Sequence, residues 1–268
     1  MCLHPLGVAW LPGHGTMVVA DMHLERGSAS ARRGFLLPPY DTDGTLARLE
    51  EAVGELRPDH VACLGDSFHD REGAALMDPG SRERLSALME GREWTWISGN
   101  HDPDPPASLP GHAATEMRTG QLTLRHEPFP GLCSGEMAGH LHPGARIVVR
   151  GQSLRRKCFA ADQDSLRLVL PSFGSASGSM NVLGRPFHER SGPSVPWTVR
   201  GSALGLRLGG GQGLQDCRTV SSAGVTAERI GGCRGSNPFP RSSPLIPFAF
   251  QGLDASASLR LTRSRCAT

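Results

Sequence analysis

Thr16-Met-Val-Val-Ala-Asp-Met-His23 is the stretch on which the fold of this chain turns. A short, unbroken apolar run reads as a buried strand, and Asp21 closes it, so a carboxylate and an imidazole stand just past a strand end. The same design returns twice. Val61-Ala-Cys-Leu64 runs into Gly65-Asp66-Ser-Phe-His69, and Trp94-Thr-Trp-Ile97 runs through Ser98 into Gly99-Asn100-His101-Asp102.

Helices fill the intervals. Leu46, Leu49, Val53 and Leu56 recur at spacings of three and four, with Asp43 as the expected N-cap and Pro58 as the stop. Ser81 is expected to open a second helix with Leu85, Leu88 and Met89 turned inward. A β-α-β-α-β order implies parallel strands joined by helical crossovers. After Pro110 the pattern changes to short strand candidates at Gln121–Leu124, Glu136–Ala138, Ile147–Val149, Lys157–Ala160 and Leu166–Leu170. These read as a second, mostly antiparallel sheet. The expectation is an α/β (α+β) architecture over residues 1–190: a four-layer α-β-β-α sandwich of two sheets flanked by helices.

Residues 191–268 differ in character, with 12 Gly, 11 Ser, nine Arg and three acidic residues. They are expected to form a disordered low-complexity tail, or to be a frameshift or read-through product, and no chemistry is assigned to them. With the tail set aside, residues 1–190 carry 19 basic and 23 acidic side chains, a net of −4. That balance suits a domain that gathers cations and gives no global basic field for nucleic acid, so any such binding must come from local patches. The seven cysteines are scattered, without a C-x-x-C pair, which argues against a disulfide framework or a structural zinc site. Cys63 reads as core packing. No segment approaches the ~20 apolar residues of a membrane span, and a cytoplasmic protein without membrane association is expected.

Two further segments complete the polar set, Arg125-His126-Glu127 and Gly139-His140-Leu-His142. Each piece is weak alone. Together, carboxylate, amide and imidazole groups in this order are the donors that divalent Mn, Fe or Zn take up when they hydrolyse phosphate esters. Gly65 lets the backbone approach closely, and Asp66 can bridge two cations. Asn100 offers a hard oxygen, while His101 can stay off the metal and act on a leaving group, with Asp102 available to hold its tautomer.

The pattern D-x-H, G-D, G-N-H-[DE], a lone His and G-H-x-H resembles the calcineurin-like metallophosphoesterase superfamily, and no ligand position is substituted. The resemblance implies Asp21, His23 and His142 on one metal, Asn100, His126 and His140 on the other, and Asp66 between them. It also implies His101 as general acid or transition-state stabiliser, in-line displacement at phosphorus, and the four-layer sandwich.

A narrower likeness is carried by Ala20-Asp-Met-His-Leu-Glu-Arg-Gly-Ser28, Arg32-Arg-Gly-Phe-Leu-Leu-Pro-Pro-Tyr-Asp41, Leu64-Gly-Asp-Ser-Phe-His-Asp70, Arg125-His-Glu-Pro128 and Arg155-Arg-Lys-Cys-Phe159. These are similar to bacterial ligase-associated DNA-damage-response endonucleases. That likeness implies a Mn-dependent nuclease acting on DNA in association with a DNA ligase and a helicase. It ends near Val182.

Arg26, His69 and Arg125 stand beside the motifs as candidate contacts to substrate phosphates, because Arg grips phosphate through a fork of donors. Arg32 and Arg33 could do the same but read rather as a solvated face, and Arg155-Arg-Lys157 is a basic cluster opposite an expected strand, a conjectural DNA contact. His4, His14, His60 and His112 read as surface or turn histidines, and at least one of Trp94 and Trp96 as core. The competing readings are a phosphoesterase of nucleotides or other small phosphodiesters, with identical chemistry, and a metal-binding interaction scaffold.

Overall fold

A computed structural model of the chain describes residues 1–35, 40–104, 106, 108–130, 133, 135–149, 152–162, 167–191, 197–200, 205–207 and 246–247. The first half contains β1 (Cys2–Leu3), β2 (Ala9–Leu11), β3 (Thr16–Val19), α1 (Arg26–Arg32), α2 (Asp41–Leu56), β4 (His60–Cys63), α3 (Gly73–Leu76), α4 (Pro79–Met89), β5 (Glu93–Ile97) and β6 (His112–Ala114). Strands β3 to β6 are parallel neighbours, and β2 and β1 extend the sheet antiparallel beyond β3.

The alternation of side chains along each strand sorts them between two cores. Met17, Val19, Val61, Cys63, Trp94 and Trp96 pack with Leu46, Leu49, Val53 and Leu56 of α2 and Leu85 and Met89 of α4. Their neighbours Val18, Ala20, Ala62 and Leu64 face the opposite way. Both tryptophans are buried, 1% and 4% exposed, so both belong to the core. Fully burying one Leu is worth about 1.5–3 kcal/mol, so α2 alone is firmly seated.

The helix termini depart from expectation. Helix α2 begins at Asp41 after Tyr40, with no side-chain cap, so Asp43 is a first-turn residue whose carboxylate meets Arg84 at 3.0 Å. Asp78, and not Ser81, caps α4, accepting from the Ser81 amide at 3.0 Å. Arg57 ends α2 in a left-handed conformation (φ 46°) just before Pro58.

The second half adds β7 (Glu116–Thr119), β8 (Leu122–Arg125), β9 (Glu136–Ala138), β10 (Pro143–Val149), β11 (Gln152–Lys157), β12 (Phe159–Asp162), β13 (Arg167–Val169), β14 (Met180–Asn181) and α5 (Arg185–Ser191). The candidate Lys157–Ala160 straddles β11 and β12. Leu166 lies outside the described residues. The sheet containing β12, β13, β9, β8 and β7 is mixed: β12–β13 and β7–β8 pair antiparallel as expected, and β8–β9 and β9–β13 are parallel.

Leu124, Met137, Phe159, Ala161, Leu168 and Leu170 of this sheet pack against the inner face of the first. On its far side Ala160 and Val169 meet Leu141, Ala145, Val182 and Phe187. The fourth layer is thus α5 together with a small sheet of β11, β10 and β14.

Beyond α5 three short strands are described. β15 (Trp197–Arg200) pairs with β12, β16 (Gly205–Arg207) pairs with β15, and β17 (Ile246–Pro247) pairs with β1. The remainder of 191–268 lies outside the described residues. Among the described residues no helix is long and apolar enough to cross a membrane.

Candidate metal centre

The parallel pairing of β3 and β4 continues past the strand ends. The amides of Asp21, His23 and Leu24 donate to the carbonyls of Gly65, Asp66 and Ser67 at 3.2, 2.9 and 2.8 Å. The D-x-H loop and the G-D loop are thereby zipped side by side. Among the described residues seven non-glycine residues have positive φ, and five of them are Asp21, His23, Asp66, His140 and His142. An L-residue in this region costs roughly 1–2 kcal/mol, a strain that surrounding structure must over-determine. This backbone is what turns both Asp21 and His23 into one space.

Two glycines make room for the ligand side chains. A Cβ on Gly99 would lie 2.2 Å from the Asp66 amide nitrogen and Oδ1. At Gly65 (φ +73°) it would lie 2.6 Å from His126 Nδ1.

Asp21, His23 and His142 form one group of potential ligand atoms within 4.8 Å of one another, and Asp66, His126 and His140 form another. In the first, His23 Nε2 faces His142 Nε2 at 3.3 Å and Asp66 Oδ2 at 3.8 Å, while His142 Nε2 lies 3.4 Å from Asp21 Oδ1. Burial, and then the neighbouring His142, His101 and His69, pulls the His23 imidazole down to about 2, so it is held neutral. Asp21 is fully buried, and its two oxygens accept from the His140 amide at 3.1 and 2.9 Å.

In the second group the Leu64 carbonyl, 2.9 Å from His126 Nδ1, assigns the proton of a neutral ring to that nitrogen. The lone pair of His126 Nε2 then points at Asn100 Oδ1 at 2.9 Å and at Asp66 Oδ1 at 3.5 Å. His140 Nδ1 adds a contact of 2.9 Å to the same Asn100 oxygen and 3.2 Å to His126 Nε2. Burial, then His126, lowers the His140 pKa as well. Several acceptors converging with few protons among them fit a divalent cation, and the nitrogen and oxygen donors match Mn, Fe or Zn. All seven predicted ligand positions therefore come together.

His101 is 39% exposed in its side chain and lies at the rim. Its Nδ1 donates to the main-chain carbonyl of His69 at 3.0 Å, and its Nε2 lies 3.9 Å from Asp66 Oδ2. The His69 ring stacks on it, with centroids 5.1 Å apart and planes at 24°. Asp102 does not hold the His101 imidazole, contrary to expectation. It is buried, and its Oδ2 accepts from the amides of Ser67 and Phe68 at 2.7 and 3.0 Å, which braces the loop after Asp66. Burial pushes its carboxyl up to about 7. A main-chain acceptor leaves no side-chain signature, so nothing in the sequence singled out the His69 carbonyl.

Of the candidate substrate contacts, Arg26 begins α1, is half-buried and makes no ion pair among the described residues. Arg125 is engaged elsewhere: its Nη2 meets Glu116 at 2.8 Å, its Nε lies 3.5 Å from Glu136, and its guanidinium lies over Phe129. Arg32 pairs with Asp70. His4 is buried against Glu55 at 2.9 Å and is no surface residue; His60, half-buried, meets Thr95 at 2.9 Å.

A family model described as calcineurin-like phosphoesterase matches residues 16–154, a span that contains every candidate ligand. Among solved structures, the crystal structure of Pseudomonas putida nuclease MPE is similar, at 27% identity and a TM-score of 0.55 over 73% of this chain and 90% of that one. No curated protein matches.

Proposed function

The chain belongs to the calcineurin-like phosphoesterase family, metal-dependent hydrolases of phosphoric esters, and from that premise we propose that it is a two-metal nuclease acting on DNA. The observation that carries the two-metal reading is the pair of donor groups, Asp21–His23–His142 and Asp66–His126–His140, meeting at one end of the two sheets. Similarity to a nuclease supports the substrate class. The sequence likeness to ligase-associated endonucleases supports Mn as the metal and work alongside a DNA ligase and a helicase.

Asp21, His23 and His142 would hold one ion, Asn100, His126 and His140 the other, and Asp66 would stand between them. When bound, the pair supplies Lewis-acid stabilisation of charge at phosphorus and on the attacking and leaving oxygens. The Leu64 carbonyl keeps the proton of His126 on Nδ1 and so leaves Nε2 free to ligate. Burial keeps His23 unprotonated for the same purpose. His101 is the proton donor. The His69 carbonyl orients its ring through Nδ1, so Nε2 is the atom that passes a proton to the leaving oxygen.

The test is hydrolysis by the purified full chain, supplied with Mn, Fe or Zn, of a DNA oligonucleotide and of bis-p-nitrophenyl phosphate. Cleavage of both is expected, and Asp66→Asn should lose bound metal and activity together. Turnover of the small diester with intact DNA would overturn the nuclease reading in favour of a small-phosphodiester hydrolase. Full metal retention in Asp66→Asn would overturn the bridging role.

A further inference from the structure

Lys157 is the only lysine of the chain, and it sits against the metal centre. Two backbone relationships place it there. In the β10–β11 hairpin Lys157 pairs with Gly144, two residues past His142, and the next amide, of Cys158, donates to the Pro143 carbonyl at 3.0 Å. The Lys157 ammonium donates to the Gly174 carbonyl, and the Gly174 amide donates to the Asp21 carbonyl at 3.1 Å. Gly174 is pressed onto that loop so closely that a Cβ there would lie 2.3 Å from the Met22 carbonyl oxygen. Lys157 thus touches the supports of both loops that deliver Asp21, His23 and His142.

No carboxylate pairs with Lys157 among the described residues. The neighbouring charges are two cations, Arg48 and Arg26, and the Asp21 carboxylate; burial, then Arg48, outweighs the opposing pull of Asp21 and brings the ammonium down to about 8. Arg48 is consumed: it donates to the carbonyls of Phe173 and Leu6 at 2.6 Å and lies over the Phe173 ring. Arg26 has no hydrogen bond or ion pair of its side chain among the described residues, and its charge reaches His23 and His69 as well as Lys157. A half-buried ammonium satisfied by one carbonyl keeps two of its three donors for another acceptor. Asp21 is the one carboxylate whose charge reaches Lys157, and its oxygens are taken by the His140 amide, so the acceptor for those donors should be an anion from outside the chain.

We infer that Lys157 and Arg26 form an anion subsite on the Asp21–His23–His142 side of the centre, which holds the backbone phosphate adjacent to the scissile one. The inference rests on the phosphodiesterase reading and gives its substrate a required length. A diester without a neighbouring phosphate leaves the subsite unused, whereas an oligonucleotide fills it. One charge-assisted contact of this kind is worth about tenfold in affinity or more.

The experiment compares kcat/KM for a single-stranded oligonucleotide with that for bis-p-nitrophenyl phosphate, in the metal-loaded full chain and in Lys157→Met, Lys157→Arg and Arg26→Gln. Lys157→Met and Arg26→Gln should each lower the oligonucleotide-to-small-diester ratio about tenfold, through KM, and Lys157→Arg should restore most of it. Oligonucleotide binding by the Asp66→Asn protein, which reads affinity without turnover, should weaken on adding Lys157→Met. The slope of log affinity against log salt should flatten by about 0.7, the share of one phosphate on a single strand. Equal losses on both substrates would show that Lys157 only supports the loops, and the subsite would be overturned. An unchanged ratio with oligonucleotide still cleaved would overturn the subsite alone. An oligonucleotide left intact by the unaltered protein would overturn the nuclease reading with it.

Discussion

His101 is oriented by the backbone of His69: its Nδ1 donates to the His69 carbonyl at 3.0 Å, and the two rings stack at 24°. The nitrogen proposed to donate the proton is therefore aimed by a loop that also carries Asp66, so in that proposal chemistry and metal binding share one support. His101→Ala should keep its full metal content and lose kcat by about 10²–10⁴ on DNA. The loss should shrink on p-nitrophenyl esters, whose leaving oxygen needs little protonation. Metal analysis beside steady-state kinetics checks this; departure of metal with the imidazole would make His101 a ligand instead.

Gly99→Ala is expected to damage the centre from behind. The new methyl would fall 2.2 Å from the Asp66 amide and Oδ1, and backbone cannot step aside as a flexible side chain can. Overpacking of this sort costs about 1–3 kcal/mol, and here it also displaces the carboxylate. A lower melting temperature together with reduced metal stoichiometry is the expected pair of readings. Unaltered metal content would count against the contact.

Arg125 should matter for stability and little for substrate. It is held by Glu116 and Glu136, and Glu136 is itself completely buried and bridged to Arg167. Arg125→Met takes one of two cations from that carboxylate and should lower stability by about 1–3 kcal/mol, with KM for DNA near its original value. A large rise in KM at unchanged stability would return Arg125 to the substrate groove.

Acid should destabilise the metal-free protein. Unfolded histidines titrate near 6.5, whereas His23 stays neutral down to about 2 and His69 and His140 are also lowered by burial. Below about 6.5 the unfolded chain takes up protons that the folded one refuses, so stability falls with pH, for His23 as far as about 2. Asp102 works in the opposite sense. Its carboxyl is raised to about 7 by burial, so between there and its ordinary 3.8 the folded form takes the proton first. Urea midpoints of metal-free protein should therefore drop between pH 6.5 and 5, and drop more steeply in Asp102→Asn. Midpoints that rose on acidification would refute the account.

The parts of this fold that the sequence announces are those governed by local pattern. Thr16–Val19, Val61–Cys63 and Trp94–Ile97 are apolar runs that could only be buried strands, and each carries its polar group to the sheet end. Those strand ends carry Asp21, His23, Asp66 and Asn100, while the family resemblance is needed to add His126, His140 and His142 to the set. Pairing direction in the second sheet is not local. β8, β9 and β13 are short, and among the described residues the connections between them carry no helix that would mark a parallel crossover. The Asp102 reading failed for a related reason: adjacency in sequence put it beside His101, but successive side chains diverge, and its carboxylate turned inward to the amides of Ser67 and Phe68. Lys157 stands out in the sequence within the basic Arg155-Arg-Lys157 cluster; its nearness to Asp21 depends on Gly174, which lies 17 residues away.

The two hydrogen bonds from the His140 amide to the Asp21 carboxylate join residues 119 apart in the chain. Asp21, His23 and Asp66 arrive with the first sheet, and His126, His140 and His142 only with the second. Closing a loop of that length precedes any reward from the contacts it brings. Neither donor group is complete until the sheets have docked through Ala20, Leu64, Leu124 and Met137. Before that docking, among the described residues, only His23, His69 and His101, all of the first half, could converge on one ion. Metal bound at either of the two donor groups should therefore report that the two halves have closed.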